Sequence, residues 1–214
     1  MKDIKLKKYS VKEIFYSIQG EGFHSGRPAV FIRFSGCNLW SGKEKDRDGA
    51  ICKFCDTDFV GTDGLNGGVY SIFQLLEIVN KITLENKCRF IVLTGGEPLL
   101  QVDTGLVSIL KEAGYYIAVE TNGTIRVPNG LDWLTVSPKA GADLIQKTGD
   151  ELKLVYPQDD ILPKEYEDLN FKYFYLQPKD DNFIKDNINM ALEYCLNNPC
   201  WRLSLQLHKI LGVD

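Results

Sequence analysis

The chain has 214 residues, 44% hydrophobic and 25% charged, the proportions of a globular protein able to bury its own core. A formal net charge of −4 excludes the basic excess of a general nucleic-acid or membrane-surface binder. No stretch reaches the roughly 20 apolar residues of a membrane span. The lysine-bearing start, Met1 to Ser10, has no following apolar block, so it does not read as a secretory signal and the cytoplasm is the expected compartment.

Short apolar, β-branched runs alternate with helical patterns, as in an α/β protein built on a parallel sheet. Ala29–Ser35 is the first predicted strand. Ser71 and Gln74 make a capping box, and Ile72, Leu75, Leu76 and Val79 recur at helical spacing, which predicts a helix over Ser71–Lys81. Arg89–Thr94 comes next; its unbroken Phe90–Ile91–Val92–Leu93 suits a strand covered on both faces. Asp103 caps a second helix that runs to Lys111 and is ended by Gly114. Strands are then predicted at Tyr116–Glu120, Trp133–Ser137, Leu152–Tyr156 and Tyr173–Gln177. A third helix covers about Asn182 to Leu196, with Ile184, Ile188, Ala191, Leu192 and Cys195 on one face, and Arg202–Gln206 is the last strand. Few helices fall between the later strands. The expected fold is therefore an incomplete, trimmed TIM-like partial β/α barrel with largely parallel strands, in a single domain spanning 1–214.

The residues just past each strand carry the stronger signal. Gly36–Cys37, Gly95–Gly96–Glu97–Pro98, Thr121–Asn122–Gly123, Pro138–Lys139 and Pro178–Lys179–Asp180 all lie beyond a strand's carboxyl end. In barrels and open α/β sheets, ligands bind along that edge.

The six cysteines fall into two groups. Cys88, Cys195 and Cys200 lie near apolar segments and read as small buried hydrophobes. Cys52 and Cys55 form a Cys-x-x-Cys turn, and fourteen residues, Asn38 to Ile51, separate it from Cys37. Three thiolates leave one metal position open to chemistry. From these cysteines alone, a structural zinc site closed by His24 stands equal to an iron–sulfur cluster. The Gly95–Gly96–Glu97–Pro98 turn tips the balance: its glycines admit a ligand against the backbone, and Glu97 is an anion able to accept from an ammonium.

With three cysteines and a Gly–Gly–Glu–Pro turn, the chain resembles the radical S-adenosylmethionine superfamily. There, three cysteines hold a 4Fe–4S cluster, and the cofactor's amino acid part chelates the fourth iron. The usual first gap is three residues, so the fourteen here mark an enlarged cluster loop, 38–51. Nearly the whole chain resembles the 7-carboxy-7-deazaguanine synthases. The marks are Ser17–Ile18–Gln19–Gly20–Glu21–Gly22, Arg33–Phe34–Ser35–Gly36–Cys37–Asn38–Leu39–Trp40, Cys55–Asp56–Thr57–Asp58 and Glu120–Thr121–Asn122–Gly123. Val136–Ser137–Pro138–Lys139, Leu176–Gln177–Pro178 and Leu203–Ser204–Leu205–Gln206–Leu207–His208–Lys209 complete the set.

The resemblance implies a lyase that rearranges 6-carboxy-5,6,7,8-tetrahydropterin to 7-carboxy-7-deazaguanine with loss of ammonia, on the pathway to queuosine. The radical comes from S-adenosylmethionine, which is regenerated. It further implies Cys37, Cys52 and Cys55 on the cluster, and Mg2+ on Thr57. Phe54, Cys55, Asp56, Gly96, Glu97, Asn122, Ser137, Pro138, Lys139, Gln177, Pro178, Lys179 and Asp180 are the implied S-adenosylmethionine residues. Lys179 stands where methionine is expected, which leaves a backbone contact there. Ile18, Gln19, Gly20, Glu21, Arg33, Thr94, His208 and Asp214 are the implied substrate residues. A homodimer and a flavodoxin- or ferredoxin-type electron donor are also implied, with no direct nucleic-acid or membrane partner. From the residues themselves, Arg33 suits the substrate carboxylate or a surface ion pair, and His24 reads as a surface residue. Charged Lys43–Asp48 reads as a solvated face or a reductant docking surface. The rival readings are another enzyme of the superfamily, such as a glycyl-radical activase, and a zinc-stabilised binding module.

Overall fold

The computed structural model describes residues 7–213. Its frame is one nine-stranded sheet: β1 (Lys8–Ile18), β2 (Pro28–Phe34), β3 (Gly68–Ser71), β4 (Phe90–Gly95), β5 (Tyr116–Thr121), β6 (Trp133–Val136), β7 (Thr148–Tyr156), β8 (Asn170–Pro178) and β9 (Trp201–Leu203). The spatial order is β3-β1-β2-β4-β5-β6-β7-β8-β9. From β2 to β9 every pairing is parallel, whereas β1 pairs antiparallel with both β2 and β3. The sheet is open, as an incomplete barrel requires. Four helices accompany it: α1 (Ile72–Asn86), α2 (Thr104–Glu112), α3 (Ile184–Asn197) and α4 (Leu207–Leu211).

Capping sets the helix starts. The Ser71 side chain accepts from Gln74 N while the Gln74 side chain reaches back to Ser71 N, satisfying backbone donors that the helix leaves orphaned. Asp103 does the same for α2 by accepting from Leu106 N, and Gly114 follows the helix at positive φ. The α3 prediction needs adjustment. The helix begins two residues later, Leu192 is exposed, and polar Asn187 is buried, donating to the Lys179 carbonyl and the Asp181 carboxylate.

The two sheet faces differ in character. One carries Val30, Ile32, Phe34, Ile91, Leu93, Ile117 and Val119, packed with Leu75, Val79, Leu106 and Leu110 of α1 and α2. The other carries Phe31, Val92, Ala118 and Trp133 near its lower end and polar side chains above them. No helix is inserted between β5 and β7 in chain order.

Three expectations are corrected. Cys195 is half-buried and Cys200 exposed, so only Cys88 of that group is a buried hydrophobe. β9 stops at Leu203 because the next backbone N–H, of Ser204, caps the Leu176 carbonyl and the chain then turns away. His24 is not a surface residue. Its ring packs among Phe90, Tyr116 and Trp133 at the amino ends of β4, β5 and β6, and its Nε2 is buried without a hydrogen-bond partner. Burial lowers its pKa.

Among the described residues, no helix is long and apolar enough to cross a membrane. Leu106 is fully buried between α2 and the sheet. Leu106→Ala is expected to cost about 3 kcal/mol, roughly 10 °C in Tm, while cysteine reactivity at the far edge stays unchanged; calorimetry and thiol labelling check both.

Candidate active site

All seven parallel strands end at one edge, and two cavities meet there. The first, about 170 Å³, is lined by Cys37, Cys52 and Cys55 together with Phe54, Asp56, Gly96, Asn122, Ser137, Lys139, Gln177, Pro178, Lys179 and Asp180. Nearly all the residues expected around S-adenosylmethionine are therefore brought to one place. The second, about 260 Å³, is lined by Ile18, Gln19, Gly20, Glu21, Arg33, Thr94 and His208, the expected substrate residues. Glu21, Asp56, Thr57, Thr94, Glu120 and Gln206 line both cavities. Asp214 lies outside the described residues.

Two expected residues do not line either cavity. Pro138 sits in the wall behind, its carbonyl accepting from Gln158 Nε2 at 3.4 Å. Glu97 is fully buried: it accepts from Leu99 N at 2.9 Å, Asn122 N at 2.7 Å and the Thr121 hydroxyl at 2.8 Å. Its carboxylate thus ties the end of β4 to the end of β5. Burial pushes its pKa up, opposed by the donors of Asn122, Leu99 and Thr121.

The first cavity depends on a close backbone approach. Glu97 N donates to the Gly36 carbonyl at 2.9 Å, so the residue before Cys37 lies directly on the Gly95–Gly96 turn. A Cβ on Gly96 would collide with Gly36 O and sit 2.8 Å from Cys37 Cβ, which no side chain tolerates. Asn122 Nδ2 bonds Asn38 Oδ1 at 2.9 Å and holds the other side of the Cys37 turn. Lys139 turns inward, with Nζ donating to the Ser137 carbonyl and hydroxyl at 2.7 Å each. Burial lowers its pKa.

The second cavity rests on charge. Lys153 of β7, 6% exposed, pairs with Glu21 and lies 3.8 Å from Glu120. Gln177 and Gln206 each donate to Glu21 Oε1 at 2.9 Å, and Gln19 donates to Glu120 Oε1 at 2.7 Å. Burial alone would raise the Glu21 pKa, but Lys153, helped by the Gln206 donor, holds the carboxyl below the ordinary carboxylate range. Desolvation opposes the Lys153 charge, yet Glu120, Glu21 and Glu151 raise its pKa. Arg33 gives Nε to Glu13 at 2.7 Å, a half-buried pair on the cavity wall rather than a surface one. Gly20 is a glycine because His208 Nδ1 occupies the place where its Cβ would stand. Lys209 of α4 bridges Asp56 and Asp180, fastening the segment just after Cys55 to the end of β8.

The sequence reading quoted Glu120, Thr121, Gln206 and Lys209 as marks of the resemblance without giving them a role, and it passed over Lys153 inside a predicted strand. Lys153 did carry a signal, a lone lysine between two leucines in a buried strand.

Among the described residues, no three His, Cys, Asp or Glu side chains converge on a single ion. His24, the fourth ligand of the zinc alternative, is at the other end of the strands. Three free sulfurs lining one cavity together with the Gly95–Gly96 turn suit a polynuclear group instead. Such a cradle on an open parallel sheet is the architecture of the radical S-adenosylmethionine class, and the Radical SAM superfamily model matches residues 49–152. That match takes in Cys52, Cys55 and the glycine turn and leaves Cys37 outside, as the enlarged loop would cause.

The relatives narrow the class. The chain is 56% identical over 207 residues to the 7-carboxy-7-deazaguanine synthase of Bradyrhizobium diazoefficiens, covering 96% of this chain and 99% of that one. It is 53% identical, with the same coverage, to the synthase of Caulobacter vibrioides. The crystal structure of QueE from Escherichia coli superposes with a TM-score of 0.69 at 26% identity, over 94% of this chain and 95% of that one. The chain belongs to the 7-carboxy-7-deazaguanine synthase family.

Glu151 lies beneath the site, 2% exposed, accepting from Phe23 N at 2.8 Å. Burial, opposed by Lys153, raises its pKa to about 7 from an ordinary 4.5. The folded chain therefore keeps a proton that the unfolded chain has released, and stability falls as pH rises from 4.5 to 7. Glu151→Gln keeps an acceptor without the charge. Its Tm relative to the parent should climb between pH 5 and pH 7.5 by the equivalent of up to about 3 kcal/mol. A difference flat with pH would contradict the shift.

Proposed function

We propose that the chain converts 6-carboxy-5,6,7,8-tetrahydropterin to 7-carboxy-7-deazaguanine with loss of ammonia. In this reading Cys37, Cys52 and Cys55 hold a 4Fe–4S cluster, the first cavity takes S-adenosylmethionine, and the second takes the pterin. When bound, the cluster and S-adenosylmethionine supply the one-electron chemistry of the superfamily. The observation that carries the reading is the shared wall: Thr94, Asp56, Thr57 and Glu120 line both cavities, which sets the two ligands side by side.

The chain's own residues bind and orient. The Glu97 carboxylate is occupied by Leu99, Thr121 and Asn122. Contact with an ammonium therefore falls to the carbonyls of the Gly95–Gly96 turn that Glu97 fixes. Asn122, Ser137, Lys139, Gln177 and the Pro178–Asp180 backbone enclose the rest of the cofactor, with Phe54 as an apolar side. Arg33, oriented by Glu13 through Nε, keeps its terminal N–H groups for the substrate carboxylate. Gln19, Glu120 and the backbone of Ile18 and Gly20 match the donors and acceptors of a pterin edge, with Glu21 and His208 beside them. The Thr57 hydroxyl at the junction is the protein ligand for Mg2+, which prefers oxygen.

The protein works in the cytoplasm, in keeping with its free thiols. It takes its electron from a flavodoxin- or ferredoxin-type donor and forms a homodimer, as the family resemblance implies. A glycyl-radical activase shares the cysteines but has no need for the Gln19, Arg33 and His208 cavity.

After anaerobic reconstitution the protein should be brown, and with the pterin, S-adenosylmethionine, Mg2+ and reductant it should release ammonia and deazaguanine together. Cys52→Ala should lose both colour and turnover. A parent protein that takes up the cluster yet releases no ammonia would eliminate this substrate. Thr57→Val should keep the colour and lower turnover at limiting Mg2+ by about tenfold, the loss of roughly one good ligand interaction.

A further inference from the structure

The enlarged loop sets a physical problem. A three-residue gap between the first two cysteines delivers both sulfurs to one cluster almost automatically, whereas fourteen residues must be ordered to do so, at about 1–2 kcal/mol each. Ile51 N and Cys52 N both donate to the Leu39 carbonyl, at 3.1 and 3.3 Å, and so close the base of the loop. Further out, Lys43, Glu44, Lys45, Asp46 and Asp48 are exposed, but Arg47 is turned inward.

Arg47 follows a short 3-10 turn, Glu44–Asp46, and all five of its N–H donors have acceptors. Nη1 donates to the carbonyls of Lys53 at 2.9 Å and Cys55 at 3.2 Å, and Nη2 also reaches Cys55 O at 3.2 Å. Nε and Nη2 grip the Glu44 carboxylate at 2.7 and 2.5 Å. The guanidinium lies 3.9 Å from the Trp40 ring centroid, and Trp40 is wedged edge-on against buried Phe59. One planar side chain thus joins the Cys37 side of the loop, through Trp40, to the Cys52–Cys55 turn. The Cys55 carbonyl that it holds belongs to the same residue as one of the three sulfurs.

Resting on the cluster reading above, we infer that Arg47 is the positioning residue that makes the long gap equivalent to a short one. It fixes the Cys55 turn and holds a permanent positive charge beside the cluster. Reduction adds a negative charge to a cluster, so a neighbouring cation favours the reduced form and raises the potential.

The test uses the full chain, reconstituted anaerobically, as parent, Arg47→Met and Arg47→Lys, with iron release to a chelator and the cluster midpoint potential as readouts. Arg47→Met should lose iron about tenfold faster, the factor for losing one or two net hydrogen bonds, and its potential should become more negative. Arg47→Lys should recover most of the potential but not the slow iron release, since an ammonium cannot span two carbonyls and a carboxylate at once. Amide exchange over residues 38–56 should quicken in cluster-free Arg47→Met. Should that variant fail to fold, Glu44→Gln, which loosens the fork from its exposed partner, should shift iron release in the same direction by a smaller factor. Parent-like release and potential in Arg47→Met would overturn the assignment while leaving the cluster reading intact. A parent that takes up no cluster would overturn both.

Discussion

Two strand ends are brought into backbone contact where β2 and β4 finish, and the arrangement of the site depends on that contact. The Gly36 carbonyl accepts the Glu97 N–H, and Gly96 leaves no room for a side chain between them. Adjacent parallel strands lie about 4.8 Å apart, so residues just past their ends are neighbours only if both turns are tight. Glycine at both positions provides this, and the Cys37 thiol is thereby laid beside the turn that borders the first cavity. Glu97, beneath the turn, carries the same order across to β5 through Thr121 and Asn122.

A second level of organisation lies one layer lower on the same face. Lys153 is surrounded by Glu21, Glu120 and Glu151, from the β1–β2 turn, β5 and β7. Leaving the Lys153, Glu21 or Glu120 charge buried without a partner would be costly, so the network fixes Glu21 and Glu120 in the wall between the two cavities. The glutamines around it, Gln19, Gln177 and Gln206, satisfy the remaining acceptor positions and orient the cavity lining. Lys209 provides a comparable tie at the rim, between Asp56 and Asp180.

Local patterns made much of this legible. The Ser71 and Asp103 caps, the apolar run of β4 and the glycine turns after each strand are written in consecutive residues. The antiparallel β1 escaped because a register shift between Val11 and Glu13 breaks its alternation and places Lys12 and Glu13 within it. Lys12 is buried there against Asp58, Asp63 and the Val60 carbonyl, so it ties β1 to the segment that follows Cys55. The Glu120–Lys153 approach was hidden for another reason. It crosses β6, and such a pairing follows from sheet register rather than from sequence spacing. The Glu97 carboxylate was legible as a buried-edge anion, but its partners depend on how β5 ends. His24 shows the limit of reading a turn as surface, since Arg27 and the aromatic ends of three strands close over it.

In the proposed function, Cys37, Cys52 and Cys55 leave one iron corner open beside the glycine turn. Mössbauer spectroscopy of the anaerobically reconstituted protein, with and without S-adenosylmethionine, tests it most directly. The account predicts one iron whose isomer shift rises on adding S-adenosylmethionine while the other three stay as they were, the sign of added nitrogen and oxygen ligands at a single site. Four irons that remain alike and unmoved would show that no corner is open, and would contradict the account.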